Sequence, residues 1–221
     1  MWLLHTESLE LRSFQGKPPP YAILSHRWGS DEEEVTFQDW RNDHAKISAR
    51  TGYVKILRAC EEAKSRDLEY LWVDTNCIDK SSSAELSEAI NSMYYYYEQA
   101  EICLAYLQDV DDATPPTNPD SPDFNTSQFC QSAWFTRGWT LQELLAPQSL
   151  VFFTSSWVHI GEKSLLKRAI SKITGIPERH VSGRNLHEAP ISCRMSWVSN
   201  RVTTRLEDIA YCMLGIFGVN M

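Results

Sequence analysis

The sequence has no run of Lys and Arg, no C-x-x-C pair, no stretch of eighteen apolar residues and no glycine fingerprint of a nucleotide-binding fold. Each gap removes a class of protein. A phosphate-tracking surface needs clustered cations, and here Asp and Glu outnumber Lys and Arg by 29 to 21, for a formal net charge of −8. Nucleic acid is therefore not the expected partner. The six cysteines, at positions 60, 77, 103, 130, 193 and 212, show no zinc spacing with histidine, so no metal is expected. Scattered thiols inside apolar runs behave as small hydrophobes and suit a reducing compartment. The N-terminal M-W-L-L-H-T-E-S-L-E-L is too short in apolar residues and too acidic for a signal peptide. Without an apolar run of spanning length, no membrane span is expected and the cytoplasm is the simplest address. The absence of G-x-G-x-x-G and G-x-x-x-x-G-K-[ST] removes the dehydrogenase fingerprint and the P-loop, so no tightly bound cofactor is implied. The missing G-x-S-x-G elbow argues against an α/β-hydrolase.

What is present reads as one α/β domain over residues 1–221. The 43% hydrophobic content and eight tryptophans allow a sizeable core in a chain of 221 residues. Tyr21 to Ser25 follows Pro18-Pro19-Pro20 and reads as a buried strand. Tyr53, Ile56, Leu57, Cys60 and Ala63 recur at helical spacing. Tyr70 to Val73 is a second buried strand ending in Asp74. Ser82 and Glu85 have capping-box spacing before a helix carrying Leu86, Ala89, Ile90, Met93, Tyr94 and Tyr97 on one face. Ile102 to Leu107 and Leu150 to Phe153 are further strands, and Arg137 to Leu145 is a short helix stopped by Pro147. The Asp- and Pro-rich stretch 109–128 reads as a mobile loop. From residue 160 onward the pattern is helical, with Leu165, Leu166, Ala169, Ile170 and Ile173 in one helix. A final helix starts at a Thr204/Glu207 capping box, with Leu206, Ile209, Ala210, Met213, Leu214 and Phe217 along one stripe. Short apolar strands separated by helices predict a mostly parallel sheet covered on both faces, with a C-terminal helical extension.

In such sheets ligands gather beyond the carboxyl ends of the strands. After the first strand comes Ser25-His26-Arg27-Trp28-Gly29, where Arg27 could pair a phosphate and Gly29 could let a ligand approach the backbone. A turn with Trp28 packed inward would use the same residues. After the second comes Asp74, which could bond a ribose hydroxyl or cap a turn. Cys77 has no base placed beside it by the sequence and reads as a buried structural thiol. In Trp134 to Leu145, Trp139 and Glu143 stand at i and i+4, so an indole and a carboxylate share one helix face. An aromatic wall desolvates an acid and offers a flat surface to a ring. The same pair also fits an exposed carboxylate beside a half-buried tryptophan.

Several stretches together resemble the fungal heterokaryon-incompatibility (HET) domain. They are Y-A-I-L-S-H-R-W-G (21–29), L-W-V-D-T-N-C-I-D (71–79), S-S-A-E-L-S-E-A-I-N-S-M-Y (82–94), W-F-T-R-G-W-T-L-Q-E-L-L-A-P (134–147) and T-T-R-L-E-D-I-A-Y-C-M-L-G-I-F-G-V-N-M (203–221). Arg27 stands where many members carry Thr. That family is associated with non-self recognition and the death of fused incompatible cells. It is also considered distantly similar to Toll/interleukin-1-receptor (TIR) domains, which implies a flavodoxin-like α/β fold. The resemblance further implies NAD, or a related nucleotide, as substrate. Glu143 of W-T-L-Q-E would then be catalytic, with Thr140 where the TIR pattern often has Cys. Ser25, His26, Arg27, Trp28, Gly29, Asp74, Arg137 and Trp139 would contact the nucleotide. Assembly into a homo-oligomer and a partner such as a sensor or another death-domain protein are also implied. A non-catalytic TIR-like module acting by self-assembly and recruitment is the alternative.

Overall fold

The computed structural model describes residues 1–42, 44–183 and 186–220. The chain divides into two compact units: residues 1–24 with 28–90, and residues 25–27 with 91–221.

The first unit is built on four strands: β1 (Trp2–His5), β2 (Leu11–Ser13), β3 (Ala22–His26) and β4 (Tyr70–Trp72). The last two residues of β3 are grouped with the second unit. β3 and β4 run parallel, with Ala22 opposite Leu71 and Ile23 opposite Trp72. β1 lies antiparallel to both β4 and β2, with Leu4 opposite Leu71 on one side and Leu11 on the other. Two short helices, α1 (Phe37–Asn42) and α2 (His44–Ile47), lead into α3 (Thr51–Lys64). α3 buries Ile56, Ala59, Cys60 and Ala63 at helical spacing. With Leu3, Leu4, Ile23, Leu24, Leu71 and Val73, none of them solvent-accessible, these side chains form the core of the unit. The stretch Tyr70 to Val73 is buried on both faces, as expected for a parallel strand.

Helix α4 (Ser83–Gln99) begins in the first unit and continues into the second. Its start is the expected cap: the Ser82 hydroxyl accepts from the Glu85 amide at 3.3 Å. Of its four consecutive tyrosines, Tyr96 and Tyr97 are buried while Tyr95 is exposed. Helical geometry can turn only part of the run inward.

In the second unit β5 (Ile102–Tyr106) and β6 (Leu150–Phe153) pair in parallel, and β7 (His159–Glu162) joins β6 antiparallel. Between β5 and β6 lie α5 (Gln128–Gln131), a 3₁₀ turn at Ala133–Thr136 and α6 (Thr140–Leu145). α7 (Lys163–Thr174) follows β7 and ends at Gly175, whose φ of +71° is the left-handed stop that glycine accepts without strain. α7 buries Leu166, Ala169 and Ile170 but leaves Leu165 exposed. In the stretch 109–128 the regular structure is a 3₁₀ turn at Phe124–Thr126, with Gln128 opening α5. Phe124 and Pro119 are nonetheless buried, and Lys172 donates to the Pro119 carbonyl at 2.5 Å.

The remaining helices are short: α8 (Glu178–Val181), α9 (Ile191–Ser196), α10 (Asp208–Tyr211) and α11 (Leu214–Phe217). The single helix expected from Thr204 is thus two. The Thr203 hydroxyl donates to the Arg205 carbonyl at 2.6 Å, which makes a turn where the helix was expected to begin. Leu206, placed on the buried stripe by periodicity, is 90% exposed. β1, β2 and β7 carry no sequence signal: each is three or four residues long and mixes polar with apolar positions.

Candidate functional site

In the second unit, Ser25 and Glu143 meet although 118 residues separate them. The Ser25 hydroxyl donates to Glu143 Oε2 at 2.5 Å and accepts from the Trp134 indole N–H at 2.8 Å. The indole donation leaves the single hydroxyl proton free to point at the carboxylate. Ser25 is fully buried and Glu143 is 5% exposed. The arrangement follows from local structure. β3 carries the serine one residue before its end, the 3₁₀ turn over Ala133–Thr136 sets the indole, and α6 carries the acid in its first turn. A carboxylate near a helix N-terminus also gains from the macrodipole, though α6 is short. The tryptophan that acts on this carboxylate's partner is Trp134, held edge-on by Phe135 and Phe152. Sequence spacing had nominated Trp139.

Trp139 turns elsewhere. Its indole N–H donates to Asp208 Oδ2 at 3.1 Å. The neighbouring residues of R-G-W-T are likewise spent on the segment 197–212. The Gly138 amide donates to the Val202 carbonyl at 2.8 Å, and a Cβ on Gly138 would stand 2.4 Å from Thr203 Cγ2. The Val202 amide returns a bond to the Thr136 carbonyl at 2.7 Å. Arg201, only 7% exposed, donates from Nη1 to the Arg137 carbonyl at 2.8 Å and to Thr140 Oγ1 at 3.0 Å. Thr140 in turn offers its proton to the carbonyl of Trp134 (2.6 Å) or Arg137 (2.8 Å). A hydroxyl at position 140 therefore knits the turn before α6 to Arg201. Arg137 also donates to the His26 carbonyl at 3.3 Å. His26 is buried and Arg27 is exposed.

Behind α6 the Lys163 ammonium, 3% exposed, donates to the carbonyls of Leu144 (3.1 Å) and Pro147 (2.5 Å), closing the helix C-terminus. Burial pushes its pKa down to about 8. Burial and the nearby Glu143 charge hold the Cys103 thiol far above its usual range.

In the first unit the remaining candidates group around Trp28. Its indole N–H donates to Asp74 Oδ2 at 2.9 Å, and the Lys80 ammonium lies 3.9 Å from the ring centroid. Trp28 is 42% exposed, so it does not pack into the core. Gly29 serves its own loop: a Cβ there would meet Glu33 Oε2 at 2.7 Å, and its amide donates to Glu34 Oε1 at 2.7 Å. Glu34 Oε1 also accepts from Lys55 Nζ at 2.6 Å, a buried ion pair that pins the loop after β3 to α3. Nothing in the spacing of Glu34 and Lys55 announces it. Cys77 is buried, and burial raises its thiol to about 12, so it is no nucleophile at neutral pH. Among the described residues no three His, Cys, Asp or Glu side chains converge to hold a metal. Among them too, no helix is long and apolar enough to cross a membrane.

Residues 21–125 match the family model described as heterokaryon incompatibility protein (HET). Vegetative incompatibility protein HET-E-1 of Podospora anserina is 46% identical over 206 residues, covering 93% of this chain and 15% of that protein. The chain thus spans a small part of the length of that relative. No solved structure matches it. The matched region includes the Ser25 to Gly29 and Asp74 loops, and the alignment with the relative extends the likeness over nearly the whole sequence. This chain belongs to the heterokaryon-incompatibility (HET) family.

Proposed function

We propose that this chain is a cell-death effector domain of fungal non-self recognition that hydrolyses NAD at the bond between nicotinamide and ribose, with Glu143 as the catalytic carboxylate. The incompatibility role is supported by family membership and by a relative described as a vegetative incompatibility protein. The observation that carries the chemistry is the carboxylate of Glu143, buried and fixed through Ser25 by the Trp134 indole. The similarity of W-T-L-Q-E to the W-x-x-x-E of TIR domains points the same way.

In this reaction the C–N bond breaks with its electron pair leaving on nicotinamide. Water adds to the ribose carbon, and ADP-ribose and a proton are released. Positive charge develops on the ribose ring, and a pre-oriented carboxylate stabilises that cation as glycosidase carboxylates do. Ser25 holds one oxygen of Glu143 still, so little reorganisation is needed when charge develops. Arg27 or Arg137 meets the pyrophosphate, while Trp139, its indole bonded to Asp208, is not carried into the ring pocket. With Glu143 only 5% exposed, substrate contact requires local opening around it. The experiment is nicotinamide release by the purified chain at high concentration, where any assembly it needs can form, against Glu143→Gln. Release lost in the variant supports the reading; equal release removes Glu143 from the mechanism.

The burial of Glu143 favours a second reading, because a carboxylate already bonded inside the fold also suits a purely structural role. The chain would then act as a non-catalytic module that assembles with itself and recruits a sensor or another death-domain protein. Cell killing that survives Glu143→Gln but not a surface substitution that blocks assembly would establish it.

A further inference from the structure

We propose that residues 199–211 form a strap that opens as one unit, releases the turn before α6 and so admits substrate to Glu143. The last step rests on the catalytic reading given above; the strap itself does not. Every residue of α6 is buried, so a substrate meets the Glu143 carboxylate only after something moves. On one side Glu143 meets core. Ser25 is fully buried, Trp134 is held edge-on by Phe135 and Phe152, and the Cys103 sulfur of β5 lies 4.0 Å from the Glu143 carbonyl. The strap is built differently. Within 199–211 only Arg201 is buried, whereas Trp197 and Val198 before it and Cys212 and Met213 after it are core residues. Val202 is 68% exposed and Leu206 90%. The fastenings to residues 136–140 are polar: the parallel Arg137/Val202 bridge, the Arg201 guanidinium on the Arg137 carbonyl and Thr140 hydroxyl, and the Trp139 indole on Asp208. A segment with few buried apolar contacts and solvent-facing backbone bonds opens at lower free energy than the core beside it.

Release unties the start of α6, because the helix begins on the carbonyls of that turn. The Leu141 amide donates to the Gly138 carbonyl at 3.1 Å and the Glu143 amide to the Trp139 carbonyl at 3.4 Å. The Thr140 hydroxyl, gripped by Arg201, offers its proton to the Trp134 carbonyl, and the Trp134 indole in turn holds Ser25 against Glu143. Hydrogen bonds from the residues under the strap thus reach both the backbone and the side chain of Glu143. The chain also carries its own reporters. Cys212 ends the strap, is fully buried, and lies where a Cβ on Gly138 would stand 3.4 Å from its sulfur. Cys103, on β5, is equally buried but belongs to the sheet.

The test is iodoacetamide labelling of the folded full chain, located by peptide mass spectrometry, together with amide hydrogen exchange. Cys212 is expected to label at least about tenfold faster than Cys103. The Gly138 and Val202 amides should exchange together, ahead of the Cys103 and Leu107 amides that bond Ser149 and Phe153. Asp208→Ala removes the acceptor of the Trp139 indole. It should speed both Cys212 labelling and Gly138 exchange about tenfold while leaving Cys103 unchanged. Asp208→Asn, which drops the charge but keeps an acceptor, should stay closer to wild type. Under the catalytic reading a larger open fraction lowers the apparent KM for NAD, so Asp208→Ala should reduce KM. Cys212 labelling no faster than that of Cys103, or an Asp208→Ala effect that spreads equally to Cys103, overturns the strap. A KM that rises or stays the same overturns its gating of Glu143. If Asp208→Ala does not fold, the wild-type rates decide. Absence of nicotinamide release would sink the catalytic reading and leave the labelling result standing, so the two failures are distinguishable.

Discussion

Ser25→Ala and Glu143→Gln touch the same hydrogen bond and should behave very differently. Ser25→Ala deletes a fully buried hydroxyl that donates to a carboxylate at 2.5 Å and accepts an indole N–H at 2.8 Å. A bond to a charged acceptor is worth about 1.5–3 kcal/mol, and stranding a buried donor costs at least about 1 kcal/mol more, so the loss should be roughly 3 kcal/mol. In a chain of this size each 1 kcal/mol moves Tm by about 2–4 °C, which predicts a fall of about 9 °C. Glu143→Gln keeps the volume and leaves an amide oxygen to accept the Ser25 proton. At the Ser25 bond its expected cost is the lost charge assistance, about 1 kcal/mol. Urea and thermal unfolding followed by circular dichroism measure both. A Ser25→Ala protein within 1 kcal/mol of wild type would refute the buried relay. So would a Glu143→Gln protein as unstable as Ser25→Ala, since the amide would then have failed to replace the acid as acceptor.

Three further outcomes follow from the packing. The Lys163 pKa, pushed down to about 8 in the fold, lies below the unfolded value, so the unfolded chain binds more protons. Lys163 by itself then adds about 1 kcal/mol of stability from pH 8 to 9. The buried thiols of Cys60, Cys77 and Cys212, raised to about 12, oppose that gain over the same interval because the unfolded chain loses those protons first. Measured as a difference from wild type, Lys163→Met should therefore lose about 1 kcal/mol between pH 8 and 9, whatever it does to absolute stability. Gly138→Ala drives a Cβ to 2.4 Å from Thr203 Cγ2 and should cost about 1–3 kcal/mol. Adding Thr203→Ser, which removes that methyl and keeps the hydroxyl, should recover much of it in the same unfolding assay. Lys55→Met leaves Glu34 buried without its cation and should destabilise by about 3–5 kcal/mol. Changing Glu34 to Gln in the same chain should restore part of that loss.

Much of this fold is legible in the sequence because its parallel strands are short, continuous apolar runs. Leu150 to Phe153 and Tyr70 to Trp72 need no partner information to be read. The edge strands are not, since W-L-L-H, L-R-S and H-I-G-E are too short and mixed to carry a period. At the candidate site, strand-end logic and helix spacing led to Ser25 and Glu143. They gave no hint that these two bond each other across 118 residues. Trp139 shows the limit of i, i+4 reasoning: its indole is drawn to Asp208, a residue 69 positions away. Trp134 was visible only as part of an aromatic stretch, and the helix periodicity that picked out Trp139 has no purchase on a 3₁₀ turn. Arg201 and the Glu34–Lys55 pair depend wholly on tertiary contacts. A lone charged residue in sequence reads as surface until its burial is known.

The measurement that bears most directly on Glu143 is nicotinamide release from NAD by the purified wild-type chain and by Glu143→Gln, at matched concentration and after both are shown to be folded. If Glu143 is the catalytic carboxylate, wild type releases nicotinamide and the folded variant does so at least a hundredfold more slowly, the order of loss expected when a key transition-state charge contact is removed (~10²-fold). Equal rates from the two proteins, or no release by wild type at any concentration that supports assembly, would contradict it.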